Sequence, residues 1–328
     1  MKLFRSLARG LAQGLALCIA AVPATYAAEV YPTKPIRMVI AFPPGGPTDL
    51  NARLFAQTMS EQLGQPVIVD NKAGAGGNLA STLVAAAPAD GYTILYNTSS
   101  LLLGSILYTS AKFDPLKDFV PVVRTAGVPL VVTANPAVAA KTLNDFVALT
   151  RKNPGKFNYA SSGNGTIDHL AAALLATQLD LKFVHVPYKG TAPALVDLVG
   201  GSTQMMVTTL NTVLPFVQEK KLTALAIASL TRSALLPDVP TVSEQTQLPG
   251  FEITAWNGIV APVGTPAAVV ARLNAVVNKA LQQKEFVDKL RASGAEPYGG
   301  TSEAYGAYLT SELARWKLVV QQAGVAPQ

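Results

Sequence analysis

Residues 36–49 read IRMVIAFPPGGPTD and join a short apolar run to a turn that is rich in glycine and proline. The run at 36–42 shows no helical period and lies between two prolines, which is typical of a buried β-strand. Thr48 and Asp49 can each cap a helix, and apolar residues then recur at near-helical spacing until Gly64. The segment therefore predicts a strand, a glycine-rich loop and a helix in succession.

The same strand–loop–helix order recurs along the chain. Further strands are predicted at 66–70, 92–96, 157–160, 182–186, 203–208 and 222–228. Residues 119–134 hold two β-rich stretches separated by Gly127, and the tail at 266–323 is mostly helical. Successive units of this kind imply parallel sheets covered by helices. Two such α/β units joined by extended segments predict a clamshell, with a ligand cleft outside the carboxyl ends of the strands.

The first 27 residues are predicted to be a cleavable signal peptide. Lys2, Arg5 and Arg9 precede an apolar run that ends in small residues, as in secretory signals. The run is shorter than the roughly 20 residues of a membrane span. We expect cleavage after Ala27, with Ala24 as the alternative, and a periplasmic location. The predicted organisation is a signal peptide at 1–27, lobe I at 28–125 and 251–328, and lobe II at 126–250.

Composition excludes several classes of function. Charged residues make up only 14% of the chain and 49% are hydrophobic, which excludes intrinsic disorder. The three basic residues of the signal peptide carry half of the formal net charge of +6, so the mature chain is mildly basic at +3 and a nucleic-acid partner is not supported. A single Cys excludes a disulfide framework, and two His leave little basis for a metal site. The dinucleotide and P-loop glycine motifs are absent, so no cofactor is predicted.

Four loops between a strand end and a helix start form the candidate ligand site. They lie at 43–49, 71–78, 97–100 and 161–166. A helix start leaves about four backbone N–H groups unpaired and carries about half a positive charge, which favours a carboxylate. Glycines in these loops leave the amides accessible to a ligand. The candidate ligand-binding residues are Pro44, Gly45, Gly46, Thr48, Asp49, Gly77, Asn78, Ser99, Ser162, Gly163, Thr166, His169 and Lys189.

Several of these residues also have a purely structural interpretation. Helix capping alone explains Asp49 and Asn78. His169, one turn into a helix, can donate to a ligand or pack between the lobes. Lys189 can bind the ligand or be a solvated surface residue. His185, flanked by valines in a predicted strand, is expected to be structural.

No catalytic or metal-binding residue is predicted. Ser162 lacks the flanking glycines of the G-x-S-x-G nucleophile elbow. His169 and His185 are 16 residues apart and lack the spacing of a zinc site. Trp256 lies in an extended segment, where packing is favoured over stacking on a ligand.

Longer motifs, in order along the chain, resemble the substrate-binding proteins of tripartite tricarboxylate transporters, the Bug receptors of proteobacteria. The motifs are YPTKPI at 31–36, FPPGGPTD at 42–49, VDNKAGAGGN at 69–78, ADGYT at 89–93, VPYKG at 186–190, LPDVPT at 236–241, WNG at 256–258 and APVGTP at 261–266. The resemblance covers essentially the whole mature chain. It implies an α/β, two-lobed type II periplasmic-binding-protein fold, with two mixed sheets flanked by helices and the ligand cleft between the lobes.

The resemblance also implies a solute receptor rather than an enzyme. Such receptors capture a small carboxylate, often a di- or tricarboxylate, through backbone amides and ordered waters. The loop at 42–49 would grip one carboxylate, and the loop at 161–166 would hold the other side of the ligand. We expect a monomer that delivers its ligand to integral-membrane transporter subunits.

The sequence leaves open which ligand the protein binds and which of several functions it serves. The ligand can be a dicarboxylate, an amino acid, an aromatic carboxylate or an uncharged amide. Two other functions also stay open: a periplasmic sensor that feeds a two-component kinase, and a secreted hydrolase that uses His169.

Overall fold

The computed structural model describes residues 31–322 and 324–326. The predicted signal peptide lies outside these residues. The segment Pro32–Gln328 forms one compact unit. None of the helices described is both long enough and apolar enough to cross a membrane.

The described chain alternates strands and helices in the predicted order. The strands are β1 (Ile36–Ile40), β2 (Val67–Asn71), β3 (Thr93–Thr98), β4 (Phe119–Ala134), β5 (Phe157–Ser161), β6 (Phe183–Pro187), β7 (Met205–Thr209), β8 (Thr223–Ile227), β9 (Thr254–Pro262) and β10 (Glu296–Pro297). The helices are α1 (Pro47–Leu63), α2 (Asn78–Ala85), α3 (Ser100–Leu107), α4 (Leu143–Lys152), α5 (Ile167–Gln178), α6 (Thr191–Gly200), α7 (Leu210–Gln218), α8 (Val242–Gln245), α9 (Ala267–Leu281), α10 (Lys284–Ala292) and α11 (Ser302–Gln322).

The strands form two mixed sheets that share β4. The first sheet has the order β2-β1-β3-β9-β4, with β1, β2 and β3 parallel and β9 antiparallel to its neighbours. The second continues from β4 through β7 and β5 to β6, and β8 also pairs with β4. Helices pack against the strands, among them α9 and α11 on β4 and α1 on β2. The predicted pair of mixed sheets flanked by helices is confirmed.

Strand β4 passes from one sheet into the other. Its residues as far as Pro129 pair with β9, and from Leu130 onward they pair with β7 and β8. The expected break at Gly127 is wrong, because β4 is continuous for 16 residues. The glycine is needed there because a Cβ atom would overlap the ring of Tyr298.

A buried carboxylate connects β9 to the C-terminal helix α11. Glu312 is 4% exposed and accepts hydrogen bonds from the indole N–H groups of Trp256, at 3.0 Å, and Trp316, at 3.1 Å. The Arg315 guanidinium donates to the other carboxylate oxygen at 2.8 Å. Trp256 is fully buried, so the predicted packing role is confirmed.

Candidate functional site

The loop after β1 leads to a helix terminus that no side chain caps. Helix α1 begins at Pro47 with Gly46 as its N-cap, so the expected capping by Thr48 or Asp49 is wrong. Proline is favoured at the first helical position because its missing N–H is not needed there and its φ is already helical. The first-turn amides of α1 therefore face the loop without a capping side chain. Pro44 and Gly45 are exposed in this loop, while Gly46 and Thr48 are half-buried.

Asp49 holds this loop in place. The residue is 2% exposed. One carboxylate oxygen accepts from the Gly45 N–H and from Arg53 Nε, both at 2.9 Å, and the other accepts from Asn71 Nδ2 at 3.0 Å. Burial alone would raise the pKa of Asp49, but the hydrogen bonds from Arg53, Gly45 and Asn71 outweigh it and lower the pKa. The carboxylate of Asp49 is thus used to position the loop.

The second and third predicted loops contact each other. Gly77 precedes α2 with φ 102°, and a Cβ atom there would lie 2.8 Å from Ser100 Oγ at the start of α3. Ser99 is the N-cap of α3 and is buried, but its side chain makes no capping hydrogen bond. The starts of α2 and α3 are therefore adjacent, as predicted from their shared position at the carboxyl ends of parallel strands.

Asn78 lies between helices α2 and α3. The residue is 6% exposed, and the Cα atom of Gly104 lies beside its amide oxygen. Within the described residues, neither Asn78 Nδ2 nor Asn78 Oδ1 has a hydrogen-bond partner. Asn78, which the sequence predicted as a ligand contact, therefore packs against helix α3.

The loops that follow β5 and β6 are joined by main-chain hydrogen bonds. The N–H groups of Tyr188 and Gly190 donate to the carbonyl oxygens of Ser161 and Ser162, each at 3.0 Å. Lys189 is exposed between them. Ser162, Gly163 and Thr166 are therefore on the same edge as Lys189.

His169 and His185 form a stacked pair beneath this edge. Their ring centroids are 3.9 Å apart with an interplanar angle of 3°. The Gly165 N–H donates to His169 Nδ1 at 3.0 Å, so the proton of the neutral ring is on Nε2. Burial lowers the pKa of His169, and burial together with the charge of His169 lowers the pKa of His185 to about 4. Both rings are therefore neutral at neutral pH.

Two serine hydroxyls of this loop have partners within the fold. Ser161 Oγ lies 2.7 Å from His185 Nε2, and Ser161 is fully buried. The Ser162 hydroxyl is hydrogen-bonded to Asp168 rather than to His169. His169 thus contacts the backbone of its own loop and the ring of His185.

Asp168 was missed by the sequence analysis. It is the second residue of α5, it is 4% exposed, and its carboxyl group is hydrogen-bonded to the hydroxyl and N–H of Ser162 and to the hydroxyl of Thr208. Burial raises the pKa of Asp168 to about 6 despite these hydrogen bonds. An acidic residue in the first turn of a helix was the available signal, and it usually indicates only helix stabilisation.

The loop at 161–166 contacts the end of helix α3. A Cβ atom at Gly165 would lie 2.6 Å from Leu107 Cδ1, at the end of α3. At another point a Cβ atom at Gly294 would lie 3.3 Å from Asn211, at the start of α7.

A separate cavity of about 420 Å³ lies over β4 beside Gly127, and none of the predicted ligand-binding residues lines it.

Comparison with known proteins gives the same fold and one family. The model of the tripartite tricarboxylate transporter family receptor matches residues 51–325. The chain is 37% identical to Protein BugT of Bordetella pertussis, over 95% of this chain and 96% of BugT. It is also similar to the structure of R. palustris Rpa4515 with adipate, with a TM-score of 0.85, 35% identity, and coverage of 91% of this chain and 100% of that chain.

A further solved structure supports the same assignment. MatC (Rpa3494) from Rhodopseudomonas palustris with bound malate has a TM-score of 0.80 and 34% identity, covering 88% of this chain and 100% of that chain. The two-lobed periplasmic-binding-protein fold is therefore confirmed. With a family model that spans most of its length, the chain belongs to the tripartite tricarboxylate transporter receptor family, to which its sequence motifs pointed.

Proposed function

We propose that this chain is a periplasmic receptor that binds a small carboxylate in the cleft between its lobes. The ligand class is a di- or tricarboxylate or an aromatic carboxylate, and the receptor delivers it to a tripartite tricarboxylate-type membrane transporter. The observation that carries the proposal is the uncapped start of α1, with its loop held by Asp49. The adipate and malate bound to two similar proteins support the carboxylate class.

Energetics favour a cleft that closes over the ligand. A helix terminus contributes about 0.3–1 kcal/mol to binding an anion at an exposed site, and up to about 2 kcal/mol when partly buried. Hydrogen bonds to a charged acceptor contribute about 1.5–3 kcal/mol each. Association costs about 4–15 kcal/mol, so several such bonds are needed in a site from which water is excluded. The two lobes provide such a site when they close.

In this proposal lobe I comprises residues 28–125 and 251–328, and lobe II comprises residues 126–250. The change of partner along β4 between Pro129 and Leu130 supports a crossing point close to the first boundary. The Ile253 N–H donates to the Ala228 carbonyl oxygen at 2.9 Å, which supports a second crossing point near residue 251. We expect the lobes to rotate about these two strands.

The proposal is tested at Gly46. This residue has φ −80°, and a Cβ atom there would have no heavy atom closer than 3.8 Å, so Gly46→Leu should fold normally. Its side chain would cover the first-turn amides of α1. Gly200→Leu is the matched control, because Gly200 also has open space around it and lies at the end of α6.

The mature protein and both variants are titrated with a carboxylate panel, and melting temperature and calorimetric affinity are measured. A ligand that binds the folded state raises the melting temperature. We expect at least one carboxylate to bind, Gly46→Leu to lose about tenfold or more in affinity because the charged-acceptor hydrogen bonds are blocked, and Gly200→Leu to bind normally. A panel in which no carboxylate binds the unaltered protein would refute the proposal. Unchanged affinity in Gly46→Leu would exclude the α1 terminus.

The membrane partner is tested separately. Affinity purification of the exported protein from membranes should recover transporter subunits. Recovery of a kinase instead would favour the sensor function.

A further inference from the structure

The lobe II side of the proposed site contains a buried carboxylate, Asp168. Its three hydrogen-bond donors, the N–H and hydroxyl of Ser162 and the hydroxyl of Thr208, are all neutral. Among the ion pairs of the described residues, none includes Asp168. A negative charge therefore lies directly behind Ser162, the residue predicted to contact the ligand from this lobe.

Most N–H groups of the loop at 161–166 already have acceptors within the fold. Their acceptors are Asp168 for Ser162, Ser161 Oγ for Gly163, His169 Nδ1 for Gly165 and the Gly163 carbonyl for Thr166. The start of α5 is also capped, because Thr166 Oγ1 accepts from the His169 N–H. This terminus thus differs from the uncapped start of α1, and it offers an anion fewer free donors.

Positive charge is also scarce at this edge. Burial lowers the pKa of His169 below its ordinary value, so its ring is neutral at neutral pH. Lys189 is exposed, and solvent screens its charge. The two lobes therefore present different electrostatic environments: uncapped amides at α1, and a buried carboxylate without an ion-pair partner among the described residues under the loop at 161–166.

We infer that the ligand is a monocarboxylate whose far end is uncharged or cationic. Its carboxylate binds at the start of α1, and a neutral or cationic polar group faces the loop at 161–166. A second carboxylate would meet the like charge of Asp168, which disfavours it. This inference rests on the proposed receptor function: it keeps the small carboxylate as ligand, and it ranks carboxylates with a neutral or cationic far end above dicarboxylates.

The test compares ligands that differ only in the charge of one end. The probes are dicarboxylates of four to six carbons, such as succinate and adipate, their half-amides, and the ω-amino acids of equal length. Calorimetric affinities are measured for the unaltered mature protein, Asp168→Asn and Lys189→Gln. Asp145→Asn is the control, because Asp145 is a first-turn residue of α4 that is exposed.

We expect the unaltered protein at pH 7 to bind a half-amide or ω-amino acid up to about tenfold more tightly than the matching dicarboxylate, because a second carboxylate must either lie near the charge of Asp168 or force Asp168 to take up a proton. Asp168→Asn should reduce this preference to near unity by improving dicarboxylate binding. Asp145→Asn should keep the preference. The ranking in the unaltered protein tests the inference even if Asp168→Asn fails to fold.

Two outcomes would contradict the inference, and they differ in whether the proposed receptor function survives. If dicarboxylates bind as tightly as their half-amides or more tightly, the inference is wrong but the receptor function stands. Loss of that dicarboxylate preference in Lys189→Gln would then identify Lys189 as the second carboxylate's partner. If no carboxylate in any series or in the wider panel binds, the proposed function fails as well.

Discussion

The imidazole rings of His169 and His185 lie face to face, with centroids 3.9 Å apart and planes that differ by 3°. Tyr159 extends the stack on His185 at a centroid distance of 4.7 Å. His169 belongs to the first turn of α5 and His185 to β6, so the stack joins a helix start to a neighbouring strand. It also supports the candidate ligand loop, since Ser161 Oγ contacts His185.

This pair makes the stability of the fold sensitive to acid. The pKa of His185 is lowered to about 4 in the folded protein, against about 6.5 when unfolded. Between these values the unfolded chain binds a proton that the folded chain does not, so stability is lost as the pH falls from about 6.5 to about 4. The titratable rings that face His185 are His169 and Tyr159.

The variant His185→Gln isolates this contribution. The free energy of unfolding of the unaltered protein should fall by about 1–3 kcal/mol more than that of the variant on acidification, since one pKa unit corresponds to about 1.4 kcal/mol. Urea unfolding at pH 7.5, 5.5 and 4.5 measures the difference. Parallel pH profiles for the two proteins would contradict the prediction.

Asp168 should have the opposite effect on the pH dependence of stability. Its folded pKa is raised by burial to about 6 from its ordinary value of 3.8, so the folded protein loses stability as the pH rises through this range. Asp168→Asn should therefore be more stable than the unaltered protein at pH 8, by up to about 3 kcal/mol, because the hydroxyls of Ser162 and Thr208 can reorient to accept from the new amide group. It should gain little at pH 4. Asp145→Asn should not gain stability at pH 8, because hydrogen bonds from Thr142 and Lys141 lower the pKa of Asp145. Equal stability of Asp168→Asn and the unaltered protein at both pH values would refute the burial effect.

Glu312 should be among the more important polar residues for stability. Its carboxylate accepts from Trp256, Trp316 and Arg315 while almost fully buried. Trp256 and Trp316 donate to the same oxygen of Glu312, so the amide oxygen of Glu312→Gln can keep both bonds. The substitution removes the charge and turns the amide NH2 group toward Arg315, which should cost about 1–3 kcal/mol. Urea unfolding followed by tryptophan fluorescence measures the loss. Glu303→Gln, at an exposed position of the same helix, should change stability by less than about 0.5 kcal/mol.

The contact between Asn78 and Gly104 predicts a coupled pair of substitutions. A Cβ atom at Gly104 would overlap Asn78 Oδ1, so Gly104→Ala should destabilise the fold by about 1–3 kcal/mol. In an Asn78→Ala background the overlap is gone, and Gly104→Ala should be neutral or stabilise by about 0.5–1 kcal/mol through helix propensity. A double-mutant cycle of unfolding free energies measures the coupling.

Gly200→Ala is the control for this cycle because no heavy atom surrounds its Cβ position. The same variants also test the ligand role of Asn78. Normal carboxylate affinity in Asn78→Ala would show that this residue supports α3 rather than the ligand, whereas additive stabilities would contradict the predicted contact.

Local pattern predicted the order of the elements well and their ends less well. The apolar run before the first glycine loop is β1, and the predicted start of α2 at Asn78 is confirmed. The start of α1 was assigned to a capping side chain, but Pro47 begins the helix and Asp49 binds the preceding loop instead. Gly127 was interpreted as a break in a strand, although it lies in β4 to accommodate Tyr298. A contact distant in sequence determined the role of Gly127, whereas Asp49 is held both by near residues, Gly45 and Arg53, and by the distant Asn71.

The sequence by itself determined the succession of strand, loop and helix and the family to which the chain belongs. Both depend on neighbouring residues, since periodicity, capping and motifs extend over a few positions of the chain. Only the tertiary structure decided that His169 stacks on His185, that Asp168 lies behind Ser162, and that the amide of Asn78 faces a helix. Burial and hydrogen-bond partners are set by the packing of elements far apart in sequence, and these alone determine whether a polar side chain holds the fold or remains available to a ligand.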